Sequence, residues 1–356
     1  MHLWKFERDA PSIPLKMDEQ TDFEYLDYSE YYDDHHIESF GLCDNTYLKE
    51  FAKKFLPAVY SIVAILGTLA NAVLIIIFIK YAAIRKIPPL CTTISDLLFG
   101  ATLPFFAVYA QTNQWIFGQS ACKIITYLYT TTLYSSNFSL AFMSLDKYYS
   151  VFGGFCSVRI IRISVKCMAF FLWIFSLLAA IPHAYFAETH EHDGHQICTY
   201  HHVSTWRTVM KFEENIAGFV VPLIIMSVCS AQISYYMVKK FPNNTCGLLR
   251  QELAYVVTFL ILWLPYSVVV FLHALQELHI LMDCTTHQNL QLAVMLTESL
   301  AFMHVFVNPV VYAFQNKRVR KLFRMARSGT AEFLIESSEN LSAVELTAVH
   351  TTGIST

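Results

Sequence analysis

Long apolar stretches alternate with shorter polar connections along the chain, at residues 56–79, 90–110, 122–145, 165–186, 212–238, 253–275 and 290–314. Each is long enough to cross the ~30 Å hydrocarbon layer of a bilayer as a helix rising ~1.5 Å per residue. Polar groups interrupt these stretches in ways that a lipid-facing helix does not require. Gly67 and Asn71 lie four apart in the first, Asp96, Thr102 and Pro104 interrupt the second, and Ser135, Ser136 and Asn137 sit mid-way along the third. Pro222 falls in the fifth and Trp263-Leu264-Pro265-Tyr266 in the sixth, while the seventh holds Glu298, His304, Asn308 and Pro309. Each costs free energy in hydrocarbon unless it meets a partner or a cavity. The pattern predicts an all-α membrane protein, a seven-helix bundle with stretches two and three buried, an inner crevice and proline bends. Asn308-Pro309 frees a carbonyl one turn earlier, which the Asn308 amide is expected to bond, or its neighbours. Asp96, Ser136 and Asn308 are expected to converge in a hydrated pocket; a sodium ion and a protonated Asp96 in a hydrogen-bonded network both suit it.

Composition removes the soluble alternative. Apolar residues make 55% of the 356-residue chain and charged residues 15%, against roughly 25% charged in soluble proteins. The formal charge of -3 conceals an asymmetry: residues 17–44 hold ten acids and no Lys or Arg, whereas 317–327 holds six basic residues and no acid. Lys80, Arg85, Lys86, Lys147, Arg159, Arg162, Lys166, Lys239, Lys240 and Arg250 fall on the same side as that basic segment. The opposite connections carry only Lys123, Arg207 and Lys211, and Lys49, Lys53 and Lys54 leave the first helix alone ambiguous. The later connections place the amino terminus outside and the carboxyl terminus in the cytoplasm.

Four segments follow: an acidic, Tyr-rich arm (1–54), the membrane domain (55–315), a short basic amphipathic helix on membrane lipid (316–327) and a Ser/Thr-rich tail (328–356). In the arm, Tyr25, Tyr28, Tyr31 and Tyr32 are flanked by carboxylates, which suits sulfation and a basic protein ligand as well as a solubilising role. Cys43, Cys122, Cys198 and Cys284 fall on the outer side, where three pairings are open. A Cys122–Cys198 bridge would pin the loop between helices four and five over the bundle, leaving Cys43–Cys284 to tie the arm to the loop before helix seven. His183, His190, His192, His195, His201 and His202 crowd the loop between helices four and five, yet no spacing singles out a zinc ligand set. No nucleophile elbow, metal-binding His-Glu-x-x-His or phosphate-cradling glycine loop occurs, so neither an enzyme, a cofactor nor a nucleic-acid partner is expected. Glu213, Glu214 and Glu298 would serve a proton-coupled transporter, but no inverted repeat accompanies them.

Several motifs together resemble the rhodopsin-like G-protein-coupled receptors, and within them the chemokine receptors. They are Gly67-Thr68-Leu69-Ala70-Asn71, Ile94-Ser95-Asp96-Leu97-Leu98-Phe99, Trp115-Ile116-Phe117-Gly118 before Cys122, and Trp263-Leu264-Pro265-Tyr266. The most specific is Thr297-Glu298-Ser299-Leu300-Ala301-Phe302-Met303-His304 leading into Asn308-Pro309-Val310-Val311-Tyr312. The resemblance covers about 43–327. It implies a plasma-membrane receptor, also endosomal through internalisation, whose sulfated arm docks a basic chemokine. The crevice would take the chemokine's amino terminus, lined by Tyr60, Phe106, Tyr109, Tyr129, Tyr266 and Glu298, with Glu298 meeting a ligand amine. Trp263 and Tyr312 would take part in activation, along with Asp96, Ser136, Asn308 and Pro309. A heterotrimeric G protein of the inhibitory class and an arrestin, the latter drawn by phosphorylated Ser and Thr in the tail, would be the inner partners, serving chemotaxis.

Departures cluster on the coupling side. The family's Asp-Arg-Tyr is Asp146-Lys147-Tyr148 here, which keeps the charge and loses the planar fork of arginine. Ser230 stands where a tyrosine is usual, and 241–247 is poor in basic residues. A decoy receptor that internalises ligand with little G-protein activation is therefore the alternative expectation.

Overall fold

A computed structural model describes residues 46–81, 86–152, 158–192, 194–200, 204–240, 245–278 and 284–327. The helices are α1 (Thr46–Lys80), α2 (Ile87–Thr112), α3 (Gly118–Phe152), α4 (Val158–Ala179) and the short α5 (Ile181–Phe186). A hairpin of β1 (Ala187–His192) and β2 (His195–Tyr200) precedes α6 (Ser204–Asn215). A π-helical turn (Ile216–Val220) leads into α7 (Val221–Lys240), then α8 (Thr245–Glu277), α9 (Cys284–Phe302), α10 (His304–Gln315) and α11 (Lys317–Arg327). The expected Tyr25, Tyr28, Tyr31 and Tyr32 arm, the Cys43–Cys284 bridge and the tail 328–356 lie outside the described residues.

Among the described residues, six spans are long and apolar enough to cross a membrane: Tyr47–Lys80, Ile87–Thr112, Val165–Phe186, Thr208–Lys240, Leu253–Gln276 and Thr285–Gln315. α3 matches them in length but is more polar, and the reason is its position. It packs against α2, α4, α5, α7 and β1, so Thr126, Thr130, Thr131, Thr132, Ser135, Ser136, Asn137 and Ser139 are all buried in protein rather than lipid. α1 begins at Thr46, so 46–54, expected in the arm, is helical. Leu48, Ala52, Leu56 and Tyr60 form one buried stripe at four-residue spacing, while Lys49, Lys53 and Lys54 remain exposed.

Pro309 and Pro222 are accommodated by side chains from other helices. Pro309 cannot donate to the Val305 carbonyl one turn earlier. Asn71 donates to it instead at 2.7 Å, and to Gly67 of its own helix at 2.9 Å. The expectation that Asn308 would serve this carbonyl or its neighbours is corrected here: its amide turns away to Asp96. Asn71 reaches Val305 because α1 lies directly against α10, where a Cβ on Gly67 would stand 2.4 Å from Val305 Cγ1. In the fifth crossing, Asn137 of α3 donates at 2.9 Å to Gly218, the carbonyl an α-helix would pair with position 222. The seventh crossing breaks at Met303. His304 Nδ1 donates to the Ala301 carbonyl at 2.8 Å, displacing the regular partner of that oxygen.

The hairpin, not anticipated by the all-helical pattern, caps one end of the bundle. Its strands are antiparallel from Ala187↔Tyr200 to His192↔His195, with Gly194 at φ +77 in the turn. Ala187, Cys198 and Tyr200 face inward and are buried. The Cys122–Cys198 disulfide ties β2 to the start of α3, and Trp115 N–H donates to Gln196 O at 2.7 Å.

Candidate functional site

Two polar groupings lie one above the other in the bundle, separated by aromatic rings. In the lower one, Asp96 of α2 is fully buried. Ser136 of α3 donates to its Oδ1 at 2.6 Å and Asn308 of α10 donates to its Oδ2 at 3.1 Å. His304 Nε2 stands 3.7 Å from Asp96 Oδ1. The three residues expected to converge do so, joined by an imidazole. Ser136 and Asn308 present hydrogens to the carboxylate, so a sodium ion would require Ser136 to turn its lone pairs inward. Among the described residues, no three His, Cys, Asp or Glu groups are placed to hold a metal ion. The ring of His304 lies 5.0 Å from Phe99 and 5.1 Å from Trp263, centroid to centroid, which places Trp263 directly over the polar core.

The upper grouping is the crevice. Glu298 of α9 is buried and accepts from the Tyr60 hydroxyl at 3.4 Å. Phe302 packs on both Tyr60 and Tyr129, and Phe106 meets Tyr129 edge-on. Tyr60, Phe106, Tyr129 and Glu298 thus form one cluster. Tyr266 belongs to a second, where it donates to Glu214 Oε1 at 3.0 Å. A pocket lined by Leu133, Glu214, Phe219, Trp263, Tyr266 and Val270 lies beside that bond. Tyr109 sits apart, edge-on to Trp115 beneath the hairpin.

At the opposite end, Asp146 pairs with Lys86 at 3.5 Å, and the Lys147 ammonium lies 4.9 Å from the Tyr255 ring centre of α8. That cation–π contact spans α3 and α8. Tyr148 stacks against Phe152, which meets Tyr236 of α7, and Ser230 is buried on the same helix. Tyr312 accepts from the Asn316 amide at 3.0 Å and packs edge-on against Phe78.

Several pairings escape sequence reasoning. Asn215 and Ser267 bond each other across α6 and α8, Lys211 meets His273 at 2.5 Å, and Glu213 joins Tyr134 and His183. Only the charge of Lys211, Glu213 and Glu214 beside an apolar stretch signals them. Their partners lie 30 to 80 residues away in sequence, too far for spacing to reveal.

Residues 70–312 match the family described as 7 transmembrane receptor (rhodopsin family). The chain is 33% identical to C-C chemokine receptor type 4 of Homo sapiens, over 80% of this chain and 82% of that one. It is 28% identical to C-C chemokine receptor type 1 of Homo sapiens, over 98% and 97% of the two chains. Atypical chemokine receptor 2 of Mus musculus is 32% identical over 80% of this chain and 77% of its own.

Proposed function

Because the chain belongs to the rhodopsin family of seven-transmembrane receptors, as a diverged multi-pass plasma-membrane relative of the chemokine receptors, we propose that it binds a basic chemokine and signals through an inhibitory-class G protein. The family is one of signalling receptors, not enzymes. The observation that carries the reading is the crevice carboxylate: Glu298 is held among Tyr60, Phe302 and Tyr129 at the end capped by the hairpin. An ammonium entering there would exchange the Tyr60 bond for an ion pair in a water-poor setting. The acidic arm outside the membrane would capture the chemokine body, with Tyr25, Tyr28, Tyr31 and Tyr32 sulfated. Asp96, Ser136, His304 and Asn308 lie under Trp263, so repacking of that ring on ligand entry would reach α10 and Tyr312. The basic face of α11 would rest on lipid, and the phosphorylated tail would recruit arrestin.

A decoy function is the second reading, favoured by the α3–α8 contact. Lys147 lies over Tyr255 and Asp146 is engaged by Lys86, so both groups at the coupling end are already occupied. A shortfall of about 1.4 kcal/mol in the active state reduces its population roughly tenfold. The test compares chemokine-driven G-protein dissociation and arrestin recruitment for the parent and for Lys147→Arg with Ser230→Tyr. Signalling by the parent that rises in the double variant supports retained, inefficient coupling. Arrestin recruitment alone supports the decoy. Saturable solute transport without chemokine binding overturns both, and Glu298→Gln with unchanged potency at equal surface level removes Glu298 from the ligand site.

A further inference from the structure

Beneath the hairpin lies a chain of side chains that the receptor reading leaves unused. Tyr134 of α3 donates to Glu213 Oε2 of α6 at 2.5 Å, and His183 of α5 reaches the same oxygen through Nε2 at 3.1 Å. His183 Nδ1 lies 2.9 Å from the Tyr200 hydroxyl of β2. A carboxylate oxygen only accepts, so Nε2 carries the hydrogen toward Glu213, and in the neutral imidazole this leaves Nδ1 to accept from Tyr200. Burial, with the Glu214 and Glu213 carboxylates nearby, holds the Tyr200 phenol well above its usual range, so it keeps the proton it donates. The hydrogens then run consistently from Tyr200 to His183 to Glu213, and Tyr134 meets that carboxylate as the second donor. His183 and Tyr200 are both buried, where a broken link strands a polar atom away from water.

The position of this chain matters more than its strength. The disulfide fixes Cys198 to α3, Trp115 N–H holds Gln196 O, and Gln119 of α3 holds Thr189 and Ala187. Tyr200, two residues farther along β2 on the same inward face, carries the bond that ties the strand to α5 instead and, through His183, to α6. The far end of the chain lies against the fifth crossing, where a Cβ on Gly218 would stand 3.2 Å from the Tyr134 ring. The hairpin is therefore joined, through Tyr134, to the π-helical turn of the fifth crossing.

We propose that Tyr134, Glu213, His183 and Tyr200 form a further tether that joins the hairpin to α5 and α6 and holds it in place over the crevice, with His183 and Glu213 as positioning residues for ligand entry. The role in ligand entry rests on the receptor reading; the tether does not. Its test uses the full-length chain in lipid nanodiscs and reads amide hydrogen exchange across 187–200. Glu213→Ala and Tyr200→Phe should speed exchange there roughly tenfold, the scale of one or two buried hydrogen bonds, with the Cys122–Cys198 disulfide intact by mass. Glu213→Gln keeps an oxygen that can accept from both partners and should retain most of the protection, which a nonspecific loss of structure would not allow. In the same variants a bound basic chemokine should dissociate several-fold faster, while binding of a peptide copy of the arm stays unchanged. Unaltered exchange in both Glu213→Ala and Tyr200→Phe overturns the tether. Faster exchange with unaltered chemokine release overturns the positioning role alone. A parent chain that binds no chemokine overturns the receptor reading, and the exchange measurement still decides the tether. Tyr200→Phe removes a single hydroxyl and carries the test if Glu213→Ala does not fold.

Discussion

The fifth and seventh crossings meet the same local problem with different degrees of constraint. Pro222 and Pro309 each remove the N–H that an α-helix would point at the carbonyl four residues earlier. In each case an asparagine from another helix takes over: Asn137 donates to Gly218 and Asn71 to Val305. The difference lies in how closely the helping helix approaches. A Cβ on Gly67 would fall 2.4 Å from Val305 Cγ1, whereas one on Gly218 would fall 3.2 Å from the edge of the Tyr134 ring. α1 and α10 therefore meet with no room for a side chain, while the Tyr134 ring of α3 stands a few tenths of an ångström too close to the π-helical turn. The seventh crossing also breaks at Met303, where His304 captures a carbonyl, whereas the fifth stays helical through its wider turn. A bend held by close backbone contact is specified by its neighbours.

The sharpest way to break that comparison is to add one carbon at each glycine. Gly67→Ala should cost about 3 kcal/mol or more, because Val305 is fully buried and has nowhere to move. Thermal unfolding of the protein in lipid would register it, and Val305→Ala in the same chain should restore part of the loss. A Gly67→Ala protein that melts like the parent would mean that α1 can slide on α10.

The asparagines come next. Asn71→Ala strips both amide contacts, to Gly67 and Val305, and should cost about 1–3 kcal/mol. Asn137→Ala leaves only Gly218 without its donor and should cost about 1 kcal/mol by the same measurement. Equal losses would erase the distinction between the two bends.

His304→Phe separates bend from stability. A phenyl ring can keep the contacts with Phe99 and Trp263 but returns the Ala301 carbonyl to the helix ladder. Stability should change by less than about 1.5 kcal/mol, as for a shape-conserving core exchange. Ligand-driven G-protein dissociation should nevertheless fall, since straightening at Met303 carries Asn308 away from Asp96. Signalling equal to the parent at equal surface level would show that the break at Met303 has no part in coupling.

The smallest effect is expected from Gly218→Ala. Alanine favours a helical backbone by about 1 kcal/mol over glycine, which offsets the tilt required of Tyr134 and leaves melting close to the parent. A loss comparable to that of Gly67→Ala would show that Tyr134 is held as firmly as Val305, and the tether from Tyr134 to the hairpin would be the reason.

Much of this architecture is legible in the chain because a bilayer permits few solutions. Long apolar runs have to be helices there, and Asp96, Ser136, Asn137, Asn308 and the prolines have to face protein. Their one-dimensional spacing is sufficient to locate the spans and to nominate Asp96, Ser136 and Asn308 as a group. It does not determine which partner each group takes. Asn308 and Val305 are three residues apart, yet the Val305 carbonyl is served by Asn71, 234 positions away, because α1 packs against α10 at a glycine. Asp146 turns to Lys86 and Lys147 to Tyr255, and Glu213 is claimed by Tyr134 and His183, for the same reason. The hairpin is likewise invisible to a membrane pattern, since it lies beyond the apolar runs and owes its place to Cys122 and Cys198. Lipid selects the helix, whose backbone bonds are local and can be read residue by residue. The side-chain bonds are made between helices, so their choice waits on the lateral order, rotation and closeness of packing that only the folded bundle decides.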